Sequence, residues 1–309
     1  MAAPGALPPS GRQLELRLGR QRATVTTVGA TLRRYLVDDA PALDGFEISQ
    51  RSDSHGQLLV PWPNRVADGR YTFQGRAHQL ALTEPATGSA IHGLVRWLEW
   101  SPVELSCERV TLAVTVHPQP GYEFTLACRA TYRLDPDGLR VTVTATNRGG
   151  SALPCGLGAH PYLTVGTPVV DDALLTVPAS RWLELDDRRV PTGAERPVDG
   201  TGYDFRSPRR IGAAVLDVAL TGLAPDPDGR TVVELRAPAG GRVVRLWADA
   251  AHSHLQLYTG DTLAAPGSRR RGLAVEPMTC APNAFRSGVG LRTLTPGACL
   301  SASWGIQPG

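Results

Sequence analysis

The chain contains no lysine, and all 32 of its strongly basic residues are arginine. That absence excludes Schiff-base catalysis, lysine-anchored pyridoxal chemistry and a phosphate-binding P-loop, each of which needs an ε-amino group. Cysteine is scarce too. Cys107, Cys128, Cys155, Cys280 and Cys299 show no C-x-x-C spacing and no partnered histidines, so no zinc site is expected and the thiols read as buried groups in a reducing compartment. There is no run of about 18 apolar residues of the kind that spans a bilayer. Residues 1–12, rich in Pro, Gly and Ala, lack the charged and apolar regions of a secretory signal and read as a loose tail. Nor is there a large excess of charge. A net +3 gives no strong field toward nucleic acid or an anionic membrane. The expectation is a cytoplasmic protein acting on a small uncharged molecule, without nucleic-acid or membrane partners.

What the sequence has in quantity is period-2 alternation. Val110, Leu112, Val114 and Val116, then Phe124 through Tyr132 at every second residue, then Leu139, Val141, Val143 and Ala145 mark half-buried strands. Further strands are expected at 14–18, 23–27, 231–235, 243–247, 254–259 and 273–275, separated by turns such as Pro136-Asp137-Gly138 and Pro227-Asp228-Gly229. Helical periodicity hardly extends beyond a turn or two. Gly (33) and Pro (26) are spread evenly rather than pooled into a linker, so residues 13–309 read as one large all-β domain, a sandwich or barrel.

Four segments break the alternation and gather polar residues beside Gly, Pro and Trp, as binding loops on a rigid scaffold do. They are Pro61-Trp62-Pro63-Asn64-Arg65, followed by Gly69, Tyr71, Phe73 and Gly75; Ile91-His92-Gly93-Leu94; Gly156-Leu157-Gly158-Ala159-His160-Pro161-Tyr162; and Glu276-Pro277-Met278-Thr279 with Pro282-Asn283-Ala284-Phe285. In this order and spacing they resemble the aldose 1-epimerase (galactose mutarotase) family. The resemblance runs from Val28-Gly29-Ala30-Thr31-Leu32 to Leu294-Thr295-Pro296-Gly297. It implies a large antiparallel β-sandwich of the galactose mutarotase-like kind and the interconversion of α and β anomers of a hexose.

That reaction needs one base to take the anomeric hydroxyl proton and one acid to protonate the ring oxygen, with no metal, nucleotide or covalent intermediate. The resemblance makes Glu276 the base and His160 the acid. Glu276 is expected at the end of the Leu273–Val275 strand, where partial desolvation would raise its basicity, and imidazole suits proton donation near neutrality. The family match further implies sugar contacts from Asn64, Arg65, His92, Tyr162, Asp217 and Gln256. Gly93 would leave room for the sugar beside His92. Of the aromatics, Trp62, Trp97 and Tyr162 could offer a flat face to a pyranose, Tyr162 foremost. His55, His78 and His117 read as structural.

Two departures from the family pattern, Leu163 after Pro-Tyr and Leu220 after Asp217, leave the preferred sugar open. Arg269-Arg270-Arg271 reads as a solvated loop, with a phosphate clamp as the sharper alternative. Two other functions stand beside the mutarotase: a non-catalytic sugar-binding module on the same fold, and an enzyme for a phosphosugar or specialised sugar-like intermediate, which an arginine cluster at the pocket would favour. The protein is expected as a monomer or homodimer.

Overall fold

The computed structural model describes residues 7–50, 52 and 54–309. With 49% strand and 5% helix, the chain is all-β. Two large antiparallel sheets carry the architecture. One runs in the order Ser101–Leu105, Arg109–Val116, Leu126–Asp135, Gly138–Asn147, Cys299–Pro308, Val243–Ala248, Thr231–Arg236, Leu174–Thr176, Arg209–Arg210. The other runs Pro191–Pro197, Ala179–Leu185, Asp217–Leu223, His254–Tyr258, Leu273–Met278, Gly158–Ala159, Leu58–Leu59, with Tyr162–Leu163 also pairing to Leu273–Met278. A four-stranded sheet from Gln13–Leu18 to Ala40–Pro41 packs against them. One continuous apolar cluster draws on all three sheets, joining Leu16, Val141, Leu246 and Ile306 to Leu255, Leu257 and Val275. A single shared core makes this a single domain.

The pleat of the second sheet positions the site. Successive side chains of a strand point to opposite faces. Leu255 and Leu257 enter the core, so Gln256 between them projects outward; Val275 enters the core, so Glu276 projects outward. Gln256 is the register partner of Glu276 on one side and of Ala219 on the other, two residues along from Asp217. Three polar side chains are thus set on one sheet face by alternation alone.

Three expectations are corrected. The Leu273 strand continues to Met278 and pairs Leu255 with Pro277, so Glu276 lies inside a strand rather than at its end. Of the expected tail, residues 1–6 lie outside the described residues, whereas Gly11 donates to Pro8 O and Val28 to Ser10 O, and Ser10 is buried. Of the five thiols expected to be buried, Cys128, Cys155 and Cys280 are, whereas Cys107 and Cys299 are exposed.

Candidate active site

On the outer face of the second sheet lies a cavity of about 730 Å³. Its floor carries Glu276 and Gln256 from neighbouring strands, with Asp217 beyond them. The link between the Gly158–Ala159 and Tyr162–Leu163 strands brings in His160, whose Nε2 lies 3.1 Å from Glu276 Oε1. Both side chains of this pair are almost fully buried. Their other polar atoms, His160 Nδ1 and Glu276 Oε2, have no hydrogen-bond partner among the described residues. Such orphaned atoms cost stability and are retained where they have work to do.

The walls are loops under backbone strain. Ser54, Asn64, His92 and Arg189 all line the cavity and all hold left-handed φ angles between 55° and 66°. Non-glycine residues adopt that region rarely, and clusters of them mark sites where the fold aims side chains. The Asn64 and His92 loops are stitched together: Asn64 N–H donates to His92 Nδ1 at 3.2 Å, and His92 N–H donates to Asn64 O at 3.0 Å. Gly93 serves this stitching. A Cβ there would stand 2.1 Å from Val60 O, so the glycine permits a close backbone approach and does not make room for a sugar.

Electrostatically the cavity is a set of compensated charges around one uncharged pair. Arg65 Nε and Nη2 meet Glu84 at 2.5 and 2.8 Å. Burial opposes the Arg65 charge, but the hydrogen bonds and charge of Glu84 outweigh it and raise its pKa. Burial likewise opposes ionisation of Glu84, and Arg65 and Thr87 outweigh it, lowering its pKa. Asp217 accepts from Gln256 Nε2 at 2.6 Å and from Arg189 Nη1. The Glu276 carboxyl, by contrast, is held well above the usual carboxylate range by burial and then by the charge of Asp217, with Arg65 pulling the other way. Burial, reinforced by His55, pushes His160 down to about 3, and burial holds His92 well below the usual imidazole range. The low-dielectric floor therefore favours one proton on the Glu276–His160 pair and no net charge.

His92, His160 and Glu276 place one potential ligand atom each within 4.8 Å of one another, a donor set that suits a transition metal. His92 does not fit that role. Its Nδ1 accepts the Asn64 N–H, so the neutral ring carries its proton on Nε2 and offers a donor there. The trio offers an imidazole N–H donor beside a carboxyl–imidazole pair that is chemically able to pass a proton.

All eight residues expected at the site line this cavity. They do not all present themselves as expected. The Arg65 fork is engaged by Glu84. Tyr162 is 2% exposed, with its ring stacked 3.8 Å from His55 and 5.0 Å from His160, so it buttresses the histidine and is not an open platform. His55 stands behind the site, 3.7 Å from Asp44. Trp62 is buried against Phe285 outside the cavity, while Trp97 lines it beneath the Arg96 guanidinium. The arginine run lies on the exposed loop expected of it and forms no clamp, since its side chains are engaged within the protein: Arg270 pairs with Asp171 and Asp261, Arg271 with Asp44, and Arg269 Nε donates to Leu263 O. Sequence reasoning missed Glu84, Arg96 and Arg189. Arg189 sits in the turn Asp186-Asp187-Arg188-Arg189, whose composition signals only a turn.

The aldose 1-epimerase family profile matches residues 12–307. YihR of Escherichia coli strain K12, an uncharacterized protein, is 36% identical over 290 residues, 93% of this chain and 90% of its own. The galactose mutarotase of Homo sapiens is 26% identical over 285 residues, 84% of this chain and 81% of its own. Among solved structures, an aldose epimerase homologue from C. elegans has a TM-score of 0.86 at 20% identity, covering 96% of this chain and 98% of its own. The galactose 1-epimerase of Lactobacillus acidophilus has a TM-score of 0.81 at 21% identity, with 96% and 93% covered. At such identities the structural likeness shows the fold, whereas the profile match over nearly all of the sequence decides membership, and the chain belongs to the aldose 1-epimerase family.

Proposed function

We propose that the protein interconverts the α and β anomers of a hexose, with Glu276 as general base and His160 as general acid. The observation that carries this reading is the buried pair itself, 3.1 Å apart on a cavity floor. The two oxygens that exchange protons, the anomeric hydroxyl and the ring oxygen, are bonded to the same carbon. An acid and a base for them must therefore stand side by side.

The proton inventory closes. With the shared proton on His160, Glu276 is a carboxylate that takes the anomeric hydroxyl proton while His160 gives its own to the ring oxygen, and the C1–O5 bond breaks. The open-chain aldehyde then faces protonated Glu276 and neutral His160, the arrangement that burial favours. Rotation about C1–C2 exposes the other carbonyl face. His160 removes the proton from the O5 hydroxyl, O5 attacks C1, Glu276 protonates the carbonyl oxygen, and the pair returns to its starting state. His92, as an Nε2–H donor, and Gln256 are suited to hold sugar hydroxyls.

Exchange NMR or polarimetry on fresh α-glucose and α-galactose tests the reading. The wild type is expected to accelerate mutarotation over buffer, and Glu276→Gln and His160→Asn are each expected to lose about a hundredfold or more. Sugar binding without acceleration by the wild type would instead establish the non-catalytic binding module. A second reading, an acidic or phosphorylated sugar as substrate, is favoured by Arg65, Arg96 and Arg189 all lining the cavity. A preference for hexuronates or hexose phosphates over glucose and galactose in the same assay would select it.

A further inference from the structure

We infer that Arg189 is a specificity-determining residue of this site, presenting N–H donors to a hydroxyl oxygen on the non-reacting side of the sugar while it orients Asp217. The inference rests on the proposed sugar chemistry and adds a residue to it.

Three observations converge on this side chain. First, its position is built. Arg189 belongs to the turn between Ala179–Leu185 and Pro191–Pro197 and holds a φ of 61°, like the cavity-lining Ser54, Asn64 and His92. The turn is anchored by its neighbour: Arg188 Nε donates to Thr87 O at 2.8 Å, and Arg188 Nη2 to Asp68 Oδ1 at 2.9 Å and Gly88 O at 3.1 Å. With Arg188 fastened outward across the cavity rim, Arg189 is turned inward.

Second, the guanidinium is only partly used. Nη1 donates to Asp217 Oδ2, and Asp217 is the one hydrogen-bond partner the Arg189 side chain meets among the described residues. A guanidinium carries five N–H donors, and this one, 41% exposed, faces the cavity. Most of its donors are available to a ligand. An acceptor oxygen is the group they take.

Third, the sheet sets the distance from the chemistry. Glu276 and Asp217 lie on strands separated by the His254–Tyr258 strand, two spacings of about 4.8 Å in a sheet. A sugar whose C1 and ring oxygen lie at Glu276 and His160 therefore turns a different edge toward Asp217 and Arg189. Because Arg189 and Gln256 occupy both oxygens of Asp217, the carboxylate is fixed and its charge compensated, and this wall donates to the substrate as well as accepting from it.

The test uses Arg189→Asn, since asparagine tolerates the left-handed backbone better than most residues, and Arg189→Lys as the conservative variant, with thermal denaturation as the check on folding. For glucose and galactose, Arg189→Asn is expected to raise KM about tenfold or more while kcat stays within about threefold, with partial recovery in Arg189→Lys. Monodeoxy sugars identify the oxygen: one position is expected to cost the wild type affinity but not Arg189→Asn. Unchanged KM in a folded Arg189→Asn, a loss confined to kcat, or deoxy penalties equal in both proteins would overturn the assignment. Should the wild type fail to accelerate mutarotation, the catalytic reading falls but the inference is still read by NMR titration of glucose and galactose. Weaker binding by Arg189→Asn upholds it; equal binding, or none by the wild type, overturns it.

Discussion

The two faces of the site-bearing sheet are made by the same strands and do opposite things. On the inner face Leu255, Leu257 and Val275 are fully buried in the shared core. On the outer face Gln256 and Glu276 are buried to nearly the same extent, yet Glu276 Oε2 and the adjacent His160 Nδ1 lack hydrogen-bond partners among the described residues. One residue of translation along a strand separates maximal packing from deliberate under-satisfaction. The inner face stabilises the fold, and the outer face gives up part of that stability to keep an acid–imidazole pair buried at the cavity, as the proposed proton exchange requires.

The sharpest way to break this contrast is Leu257→Ala. A cavity in the shared core is expected to cost about 2–5 kcal/mol in chemical denaturation, while the folded fraction keeps its pH profile. Equal tolerance of alanine at Leu257 and at an exposed position would remove the distinction.

A smaller effect separates satisfied from unsatisfied groups within the outer face. Gln256→Ala removes the 2.6 Å hydrogen bond to Asp217 and is expected to cost about 1.5–3 kcal/mol, the range for bonds to a charged partner. Urea denaturation reads it, and a stabilised variant would show that Gln256 belongs with the orphaned groups.

The smallest effect has the opposite sign. Glu276 has a raised pKa in the folded protein, so above its unfolded value, about 4.3, the unfolded chain releases a proton that the folded chain keeps. The native state loses ground as pH rises through that window, and Glu276→Gln escapes the loss. The variant is expected to melt above the wild type by the equivalent of about 0.5–2 kcal/mol at pH 7, with the gap shrinking toward pH 4. His160, depressed to about 3, adds the opposite dependence in the wild type, losing stability as pH falls below about 6.5. Scanning fluorimetry from pH 4 to 8 reads both trends. A Glu276→Gln protein less stable than wild type at every pH would mean that the carboxylate is a structural element.

Alternation and turn chemistry made most strands readable from the residues. The expected 231–235, 243–247 and 254–259 elements appear as Thr231–Arg236, Val243–Ala248 and His254–Tyr258, because a strand half-buried in a sandwich must alternate wherever it sits in the chain. The strands Ala179–Leu185 and Pro191–Pro197 carry no such pattern; the second is largely exposed and owes its conformation to pairing at the sheet edge. The same division runs through the site. His160, His92 and Glu276 stand in motifs unusual enough to be found in sequence. Glu84 and Arg189 come from turns of ordinary polar composition, and only long-range contacts decide where such turns point.

The sequence by itself determined the all-β class, the absence of lysine chemistry, and a short roster of carboxyl, imidazole and polar residues to expect around one site. It did so because hydrophobic period and side-chain type are local properties. Tertiary structure alone decided that Glu276 lies within a strand, 3.1 Å from a histidine more than a hundred residues away in the chain. It also decided that Arg65 is bound to Glu84 and that Arg189 leans on Asp217. Those facts depend on strand register and on burial, which set both the distance between side chains and the cost of charging them.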